Sequence, residues 1–181
     1  MATFDELISR LDPDFRARGE QFEHICVWYL QNAPRYRGVV KNVWFFPEWP
    51  GRWDDRDLGI DIIVETVAGE FWAVQAKCYK RGLAVKKRDM DAFLSESGRR
   101  GISRRILIMS TDYLAEDSKR TIKGQVVPVE VISLSDLQEE RLDWPHDPDD
   151  LPRTYPTAPE PVAAPDHASV WYERGQAYYQ K

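Results

Sequence analysis

The segment from Gly59 to Lys77 constrains the fold more than any other part of the chain. Gly59-Ile60-Asp61-Ile62-Ile63-Val64-Glu65 and Phe71-Trp72-Ala73-Val74-Gln75-Ala76-Lys77 are rich in β-branched and aromatic residues and flank a turn containing Gly69. This is the pattern of a β-hairpin. With Val67-Ala68-Gly69 as a three-residue loop, and Gly69 in the left-handed conformation such loops use, Thr66 pairs with Glu70, Ile63 with Ala73, and Asp61 with Gln75. Cross-strand partners share a face. One face then carries Ile60, Ile62, Val64, Trp72, Val74 and Ala76, all apolar, and the other carries Asp61, Gln75 and Lys77. A two-residue loop would set Asp61 opposite Ala76 and mix the faces, so polarity selects the register that converges the three polar residues.

A carboxylate, an amide oxygen and a lysine converging near a strand end suit divalent-metal phosphodiester chemistry. Asp61 supplies a hard oxygen ligand for Mg²⁺, and the Gln75 side chain or the Ala76 carbonyl adds a neutral one. Lys77 is placed to polarise an attacking water or to steady charge developing on a phosphate. One carboxylate makes a weak magnesium site, so a second acid is expected, with Glu20 and Glu23 on the preceding helix as candidates. The competing reading is a solvated Asp–Lys pair on an exposed hairpin. Against it, Phe71-Trp72-Ala73-Val74 is typical of a central strand, where an unpaired lysine is costly.

Around this hairpin, Thr3-Phe4-Asp5-Glu6 is a capping box opening a short helix that ends before Pro13. A helical pattern from about Arg18 to Asn32 is the first substantial helix, and Val39–Phe46 reads as a strand. Pro47–Trp53 cannot be regular structure. After the hairpin the pattern predicts a helix over Lys87–Glu96, a strand over Ile106–Ser110, a helix from Thr111 to about Lys123, and a strand over Val127–Ile132. A last helix is capped by Ser135-Asp136-Leu137-Gln138. From the first substantial helix the order is α-β-β-β-α-β-α-β-α, an α/β domain with a central mixed sheet flanked by helices. With 181 residues there is room for one domain plus a tail. The expected division is a domain over 1–143, an acidic Pro-rich linker over 144–166, and a docking or truncated segment over 167–181.

The net charge of -5 argues against nucleic acid only if it is evenly spread. Residues 77–105 hold ten Lys or Arg against Asp89, Asp91 and Glu96, net +7, whereas residues 130–166 hold ten acids against Arg141 and Arg153, net -8. Lys80, Arg81, Lys86, Lys87 and Arg88, continuing into Arg99, Arg100, Arg104 and Arg105, are therefore candidates for phosphate contacts beside Lys77. Trp44, Trp49 and Trp53 with Phe45 and Phe46 are read first as core filling, with base stacking or domain docking as alternatives. Asp54, Asp55 and Asp57 are read as loop acids, His24 as structural, and His146 and His167 as tail residues. Cys26 and Cys78 lie far apart without CxxC spacing, which excludes a disulfide framework. The acidic N-terminus lacks the features of a secretory signal, and no apolar run approaches a membrane span, so a cytoplasmic protein is expected.

Gly19-Glu20-Gln21-Phe22-Glu23, Gly59-Ile60-Asp61 and Gln75-Ala76-Lys77, in this order of elements, resemble the Mrr-like branch of the PD-(D/E)xK nuclease superfamily, over roughly residues 15 to 140. The resemblance implies the restriction-endonuclease-like fold. It points to Glu23 rather than Glu20 as the helix acid that joins Asp61 and the Ala76 carbonyl on Mg²⁺, with Mn²⁺ as a substitute. Gln75 stands where the superfamily usually has a third acid, a departure that Mrr-like members share. More narrowly, TFDELISRLDPDFRARGEQFEHI and WPGRW resemble the nuclease module at the start of Type ISP restriction polypeptides, where a helicase-like ATPase and a methyltransferase follow. The chain contains neither a GxxxxGK[ST] phosphate loop nor a methyltransferase glycine motif.

The expectation is thus a Mg²⁺-dependent deoxyribonuclease, a component of a type I-like restriction system. It would act on double-stranded DNA with little sequence preference of its own, with the motor and methyltransferase in cis or in trans and a transient dimer on DNA. The alternatives are a silent DNA-binding or docking module of the same fold and an RNA-cutting relative.

Overall fold

The computed structural model describes residues 2–53, 59–99 and 101–152. Ten regular elements follow in chain order: α1 (Phe4–Ser9), α2 (Phe15–Asn32), β1 (Val40–Phe45), β2 (Ile62–Thr66), β3 (Phe71–Lys77), α3 (Asp91–Glu96), β4 (Ile102–Met109), α4 (Glu116–Lys123), β5 (Val129–Ile132) and α5 (Leu134–Glu139). The strands form one sheet in the order β1-β2-β3-β4-β5. The pairs β1–β2 and β2–β3 are antiparallel, and β3–β4 and β4–β5 are parallel. This mixed sheet with flanking helices is the restriction-endonuclease-like fold expected from the sequence.

The hairpin register is the one that polarity selects. Ile63 lies opposite Ala73, Ile62 opposite Val74, and Thr66 N–H donates to the Glu70 carbonyl (2.9 Å). Gly69 holds φ +77° at the end of the three-residue loop, a conformation that favours glycine.

Both faces of the sheet are covered, which the hairpin alone did not announce. On one side Ile62, Val64, Trp72, Val74 and Ala76 join α1, α2 and α5 through Phe4, Phe22, Ile25, Tyr29 and Leu137. On the other, Ile63, Ala73 and Leu107 pack under α3 and the Trp-rich segment through Phe93, Leu94, Trp44 and Trp49. Ile60, expected with Ile62 and Val64, lies in this second layer, because β2 begins only at Ile62 and the strand's alternation of faces does not extend to it. Trp44, Phe46 and Trp49 are buried and Trp53 packs against them, so the aromatic density is core filling, as first read.

Several boundaries differ from the sequence reading. The helix expected over Lys87–Glu96 is a 3₁₀ turn at Lys87–Asp89 followed by α3. Strand β4 starts at Ile102 rather than Ile106 because Arg104 and Arg105 interrupt its apolar pattern without interrupting its pairing. The last helix is capped by Ser133 with Asp136, two residues earlier than the expected Ser135. Finally, packing runs past residue 143. Trp144 is 2% exposed and pairs with Ala2, and Pro148 and Leu151 are buried, so residues 144–152 lie against the domain instead of beginning a linker. The acids Asp54, Asp55 and Asp57, Arg100, and the segment from Arg153 on, including His167 and the expected 167–181 unit, lie outside the described residues.

Candidate active site

Asp61 sits immediately before β2, where the antiparallel ladder ends. Its own N–H still donates to the Val74 carbonyl (3.0 Å), but β3 continues past it. The Ala76 N–H would be left without a strand partner there, and the Asp61 carboxylate takes that place, accepting it at Oδ2 (2.7 Å). N–H and C=O of one residue point to the same side of a strand. The Ala76 carbonyl therefore faces the edge where Asp61 sits.

Gln75 is 2% exposed. Its Nε2 donates to the Gly59 carbonyl (2.8 Å), which fixes the amide orientation. Its Oε1 is buried with no hydrogen-bond partner among the described residues. An orphaned buried acceptor costs about 1–3 kcal/mol unless something supplies the missing partner. Gly59 makes this arrangement possible: it holds φ +71°, and an added Cβ would lie 3.1 Å from Phe93 N and 3.3 Å from Gln75 Nε2.

Glu23 is half-buried on α2, the helix that packs across β1 and β3. It meets Asp61 electrostatically at Cys26: burial pushes that thiol well up, and the charges of Glu23 and Asp61 push it the same way. No group of three or more His, Cys, Asp or Glu side chains with metal-holding geometry occurs among the described residues. The candidate donors are instead of mixed chemistry: two carboxylates, a backbone carbonyl and an amide oxygen. The orphaned Gln75 oxygen is an acceptor that a hard, oxygen-seeking cation would satisfy, and carboxylate, carbonyl and amide oxygens are the donor chemistry a divalent ion takes.

Lys77 ends β3 on the same face as Gln75, and the Lys77 carbonyl accepts from Ser110 N–H (3.0 Å). Ser110 also brackets the next residue but one, since its Oγ accepts from Tyr79 N–H (2.7 Å) and donates to the Tyr79 carbonyl (2.9 Å). These bonds fix the path by which the chain leaves the site. Two neighbours of Lys77 were not singled out by the sequence, Asp89 and Tyr79. Partial burial works to raise the Asp89 pKa, but the Lys86 N–H, the Tyr79 hydroxyl and the cations of Arg88 and Lys77 together hold it below the usual carboxylate range. Burial and the bond to Asp89 push the Tyr79 hydroxyl up to about 12. The turn Lys86–Asp89, in which Lys86 N–H donates to Asp89 Oδ2 (2.8 Å), was the available local signal.

A depressed carboxylate pKa stabilises the fold above its unfolded value, and the contribution disappears as pH falls through the folded one. Asp89→Asn should therefore be less stable than wild type at neutral pH. The difference should shrink below about pH 4, the unperturbed carboxylate range. Urea midpoints of both chains across pH 3 to 7 measure this, and a constant difference would refute the assignment.

The basic cluster divides. Lys80 and Lys86 are exposed, with no ion pair among the described residues. Arg81 pairs with Asp5, Lys87 with Asp91 (2.6 Å) and Arg88 with Asp89 (3.6 Å). Such exposed pairs are worth little and exchange readily for a phosphate. Arg104 and Arg105 do not extend the patch, contrary to the sequence reading. Arg104 pairs with Glu130 and covers the Trp72 ring (4.6 Å) near the opposite end of β3 from Lys77. Arg105 is buried and donates to the Leu94 carbonyl (3.2 Å), Gln125 Oε1 (3.1 Å) and the Val127 carbonyl. Glu20 pairs with Arg16 on the exposed side of α2 (3.1 Å), away from the site. His24 packs edge-on against Phe45 (4.7 Å), in keeping with a structural role.

Asp61, Gln75 and Lys77 lie toward one end of the central strands of a mixed sheet, and comparison with known proteins specifies the class of domain. A family described as restriction endonuclease matches residues 31–150, and the chain belongs to this Mrr-like family. The match includes Asp61, Gln75, Ala76, Lys77 and the basic cluster but starts after Glu23. Among solved structures, the chain is similar to the ATP-dependent Type ISP restriction-modification enzyme LlaBIII bound to DNA. There the TM-score is 0.66 and the identity 26%, over 99% of this chain and 11% of that one. It shares its fold with the MspJI restriction endonuclease in complex with an oligonucleotide, at TM-score 0.50 and 17% identity, over 76% of this chain and 33% of that one. The chain thus spans about a tenth of the length of the Type ISP enzyme. No curated protein matches it.

Proposed function

We propose that the chain is a divalent-metal-dependent DNA endonuclease that hydrolyses phosphodiester bonds with little sequence preference of its own. The observation that carries this reading is the pairing of the Asp61 carboxylate with the Ala76 backbone beside the unpartnered, buried Gln75 oxygen.

In this mechanism Asp61, Glu23 and the Ala76 carbonyl would hold Mg²⁺, or Mn²⁺ in its place, and Gln75 would help to position the ion or the attacking water. When bound, the ion supplies an activated water and charge neutralisation at the phosphate. Lys77 places a cation at the same strand end, where it assists attack and steadies the charge developing on the phosphate. Lys80, Arg81, Lys86, Lys87 and Arg88 hold the flanking backbone through sequence-independent, salt-sensitive contacts. Sequence choice then falls to other domains. We place the chain in a restriction system, as the nuclease module working with a helicase-like ATPase and a methyltransferase and dimerising transiently on DNA. The likeness to the Type ISP enzyme supports that placement. Among the described residues no helix is long and apolar enough to cross a membrane.

Supercoiled plasmid tests the reading directly. Nicking is expected with Mg²⁺ or Mn²⁺ and should vanish with EDTA. Nicking that persists in EDTA would overturn the metal assignment. Magnesium-independent DNA binding without any nicking, even with the motor domain supplied, would favour the silent module.

A further inference from the structure

The chain between Lys77 and α3 contains a firmly held turn that the mechanism above uses only for its charge. Leu83 N–H donates to the Lys80 carbonyl (3.1 Å), and Gly82 holds φ +83°, the left-handed conformation for which the third position of such a β-turn favours glycine. Both flanks of the turn are clamped. On one side Ser110 Oγ bonds the Tyr79 N–H and carbonyl. On the other Val85 is fully buried. Its N–H donates to the Tyr113 carbonyl (2.9 Å), and its carbonyl accepts from Ala115 N–H (3.1 Å) and the buried Ser118 hydroxyl (3.0 Å).

The tip of the turn is open. A Cβ added at Gly82 would meet nothing within 4 Å, and Leu83 is 53% exposed. A single exposed leucine is ordinary on a surface. This one is held out by a clamped turn, with Tyr113, 56% exposed, on the segment bonded to Val85. Lys80 opens the turn and Lys86 follows Val85, and these are the cations of the cluster that have no ion pair among the described residues. Two lysines flanking an apolar tip suit a polyanion with an apolar interior. Phosphates meet the lysines, but only the stacked bases offer apolar surface to Leu83. A helix or ribbon needs the major groove, whereas one side chain on a narrow turn fits the ~6 Å minor groove. Leucine is among the side chains that minor-groove proteins wedge between base steps.

We infer that Leu83 is a wedge that enters the minor groove of duplex DNA and unstacks one base step, kinking the substrate near the cut. This rests on the nuclease reading above and adds to it the form in which the DNA is held. Lys80 lies three residues beyond Lys77, so the chain allows at most about 11 Å between them, and the turn returns Leu83 to within about 7 Å of Lys80. The kink therefore falls within about 18 Å of Lys77, roughly five base-pair steps at about 3.4 Å each. Kinking is cheapest at pyrimidine–purine steps, so binding acquires a weak preference for TA and CA without any hydrogen bond to a base.

Energy transfer between dyes at the two ends of a short duplex with a central TA step measures the kink, in the full chain carrying Asp61→Asn so that the duplex stays uncut. Binding is expected to shorten the end-to-end distance. Leu83→Ala should lose the shortening and weaken binding roughly five- to tenfold, the net of burying one leucine against unstacking one step. Its affinity should keep the parent's dependence on salt, because no charge is removed, whereas Lys80→Ala should lower the slope of log affinity against log salt by about one. Leu83→Phe, which places another wedging side chain at the tip, should keep the shortening. A thermal melt confirms that each variant is folded. An unbent duplex in the parent complex, or an unchanged bend and affinity in Leu83→Ala, overturns the wedge and leaves Leu83 to a protein partner. Failure of the parent to bind duplex at all overturns the DNA reading and the wedge with it.

Discussion

Asp61→Asn is expected to lower plasmid nicking by at least about 10²–10³-fold, the scale of losing one preorganised electrostatic partner, while leaving the fold intact. The amide keeps an oxygen to accept the Ala76 N–H, now made at 2.7 Å by Oδ2, but cannot supply the charge a cation needs. Asp61→Ala separates the two roles. It removes the charge and also leaves a half-buried N–H at the end of β3 unsatisfied, which costs about 1–3 kcal/mol. Nicking assays and urea unfolding on both variants should show equal loss of activity but greater loss of stability in the alanine variant. An Asp61→Asn protein that nicks at the wild-type rate would remove Asp61 from the chemistry.

Trp144→Ala carries the largest expected effect on stability, about 3–5 kcal/mol, the range for deleting a large buried aromatic. The indole stacks on Tyr29 (5.8 Å, 12°) and lies 4.8 Å from Phe4 and 5.4 Å from Trp28. The Trp144 backbone N–H donates to the Ala2 carbonyl (3.2 Å), and Asp143 accepts from Ala2 N–H (2.9 Å), so the two ends of the domain are tied together here. Domains of this size are commonly stable by about 5–15 kcal/mol, so the variant should lose a large share of its stability and unfold at a clearly lower denaturant concentration. A chain ending at residue 143 should lose at least as much. Chemical denaturation measures both, and a loss below about 1 kcal/mol, typical of a surface change, would mean that Trp144 is a linker residue after all.

What could be read from the sequence was local. The alternation of polar and apolar residues on either side of Gly69 determined the hairpin register, because a one-residue slip exchanges every side chain between faces. The same logic found the capping box at Thr3 and Glu6, with Thr3 N–H donating to Glu6 at 2.7 Å, and the resemblance carried by Asp61, Gln75 and Lys77 led to the family. Tertiary structure alone decided which features were buried and what they met. The polar hairpin face turned out to lie under α3, which leaves Gln75 with an orphaned oxygen and makes Gly59 necessary. Arg105, counted as a DNA-facing cation, is buried against three acceptors contributed by segments that no periodicity links to it. Trp144 looked like the first residue of a Pro-rich linker, since its partners Ala2 and Tyr29 lie more than a hundred positions away. Periodicity and capping are fixed by neighbours along the chain. Burial and the end of a ladder depend on residues brought together only when the sheet is covered on both sides.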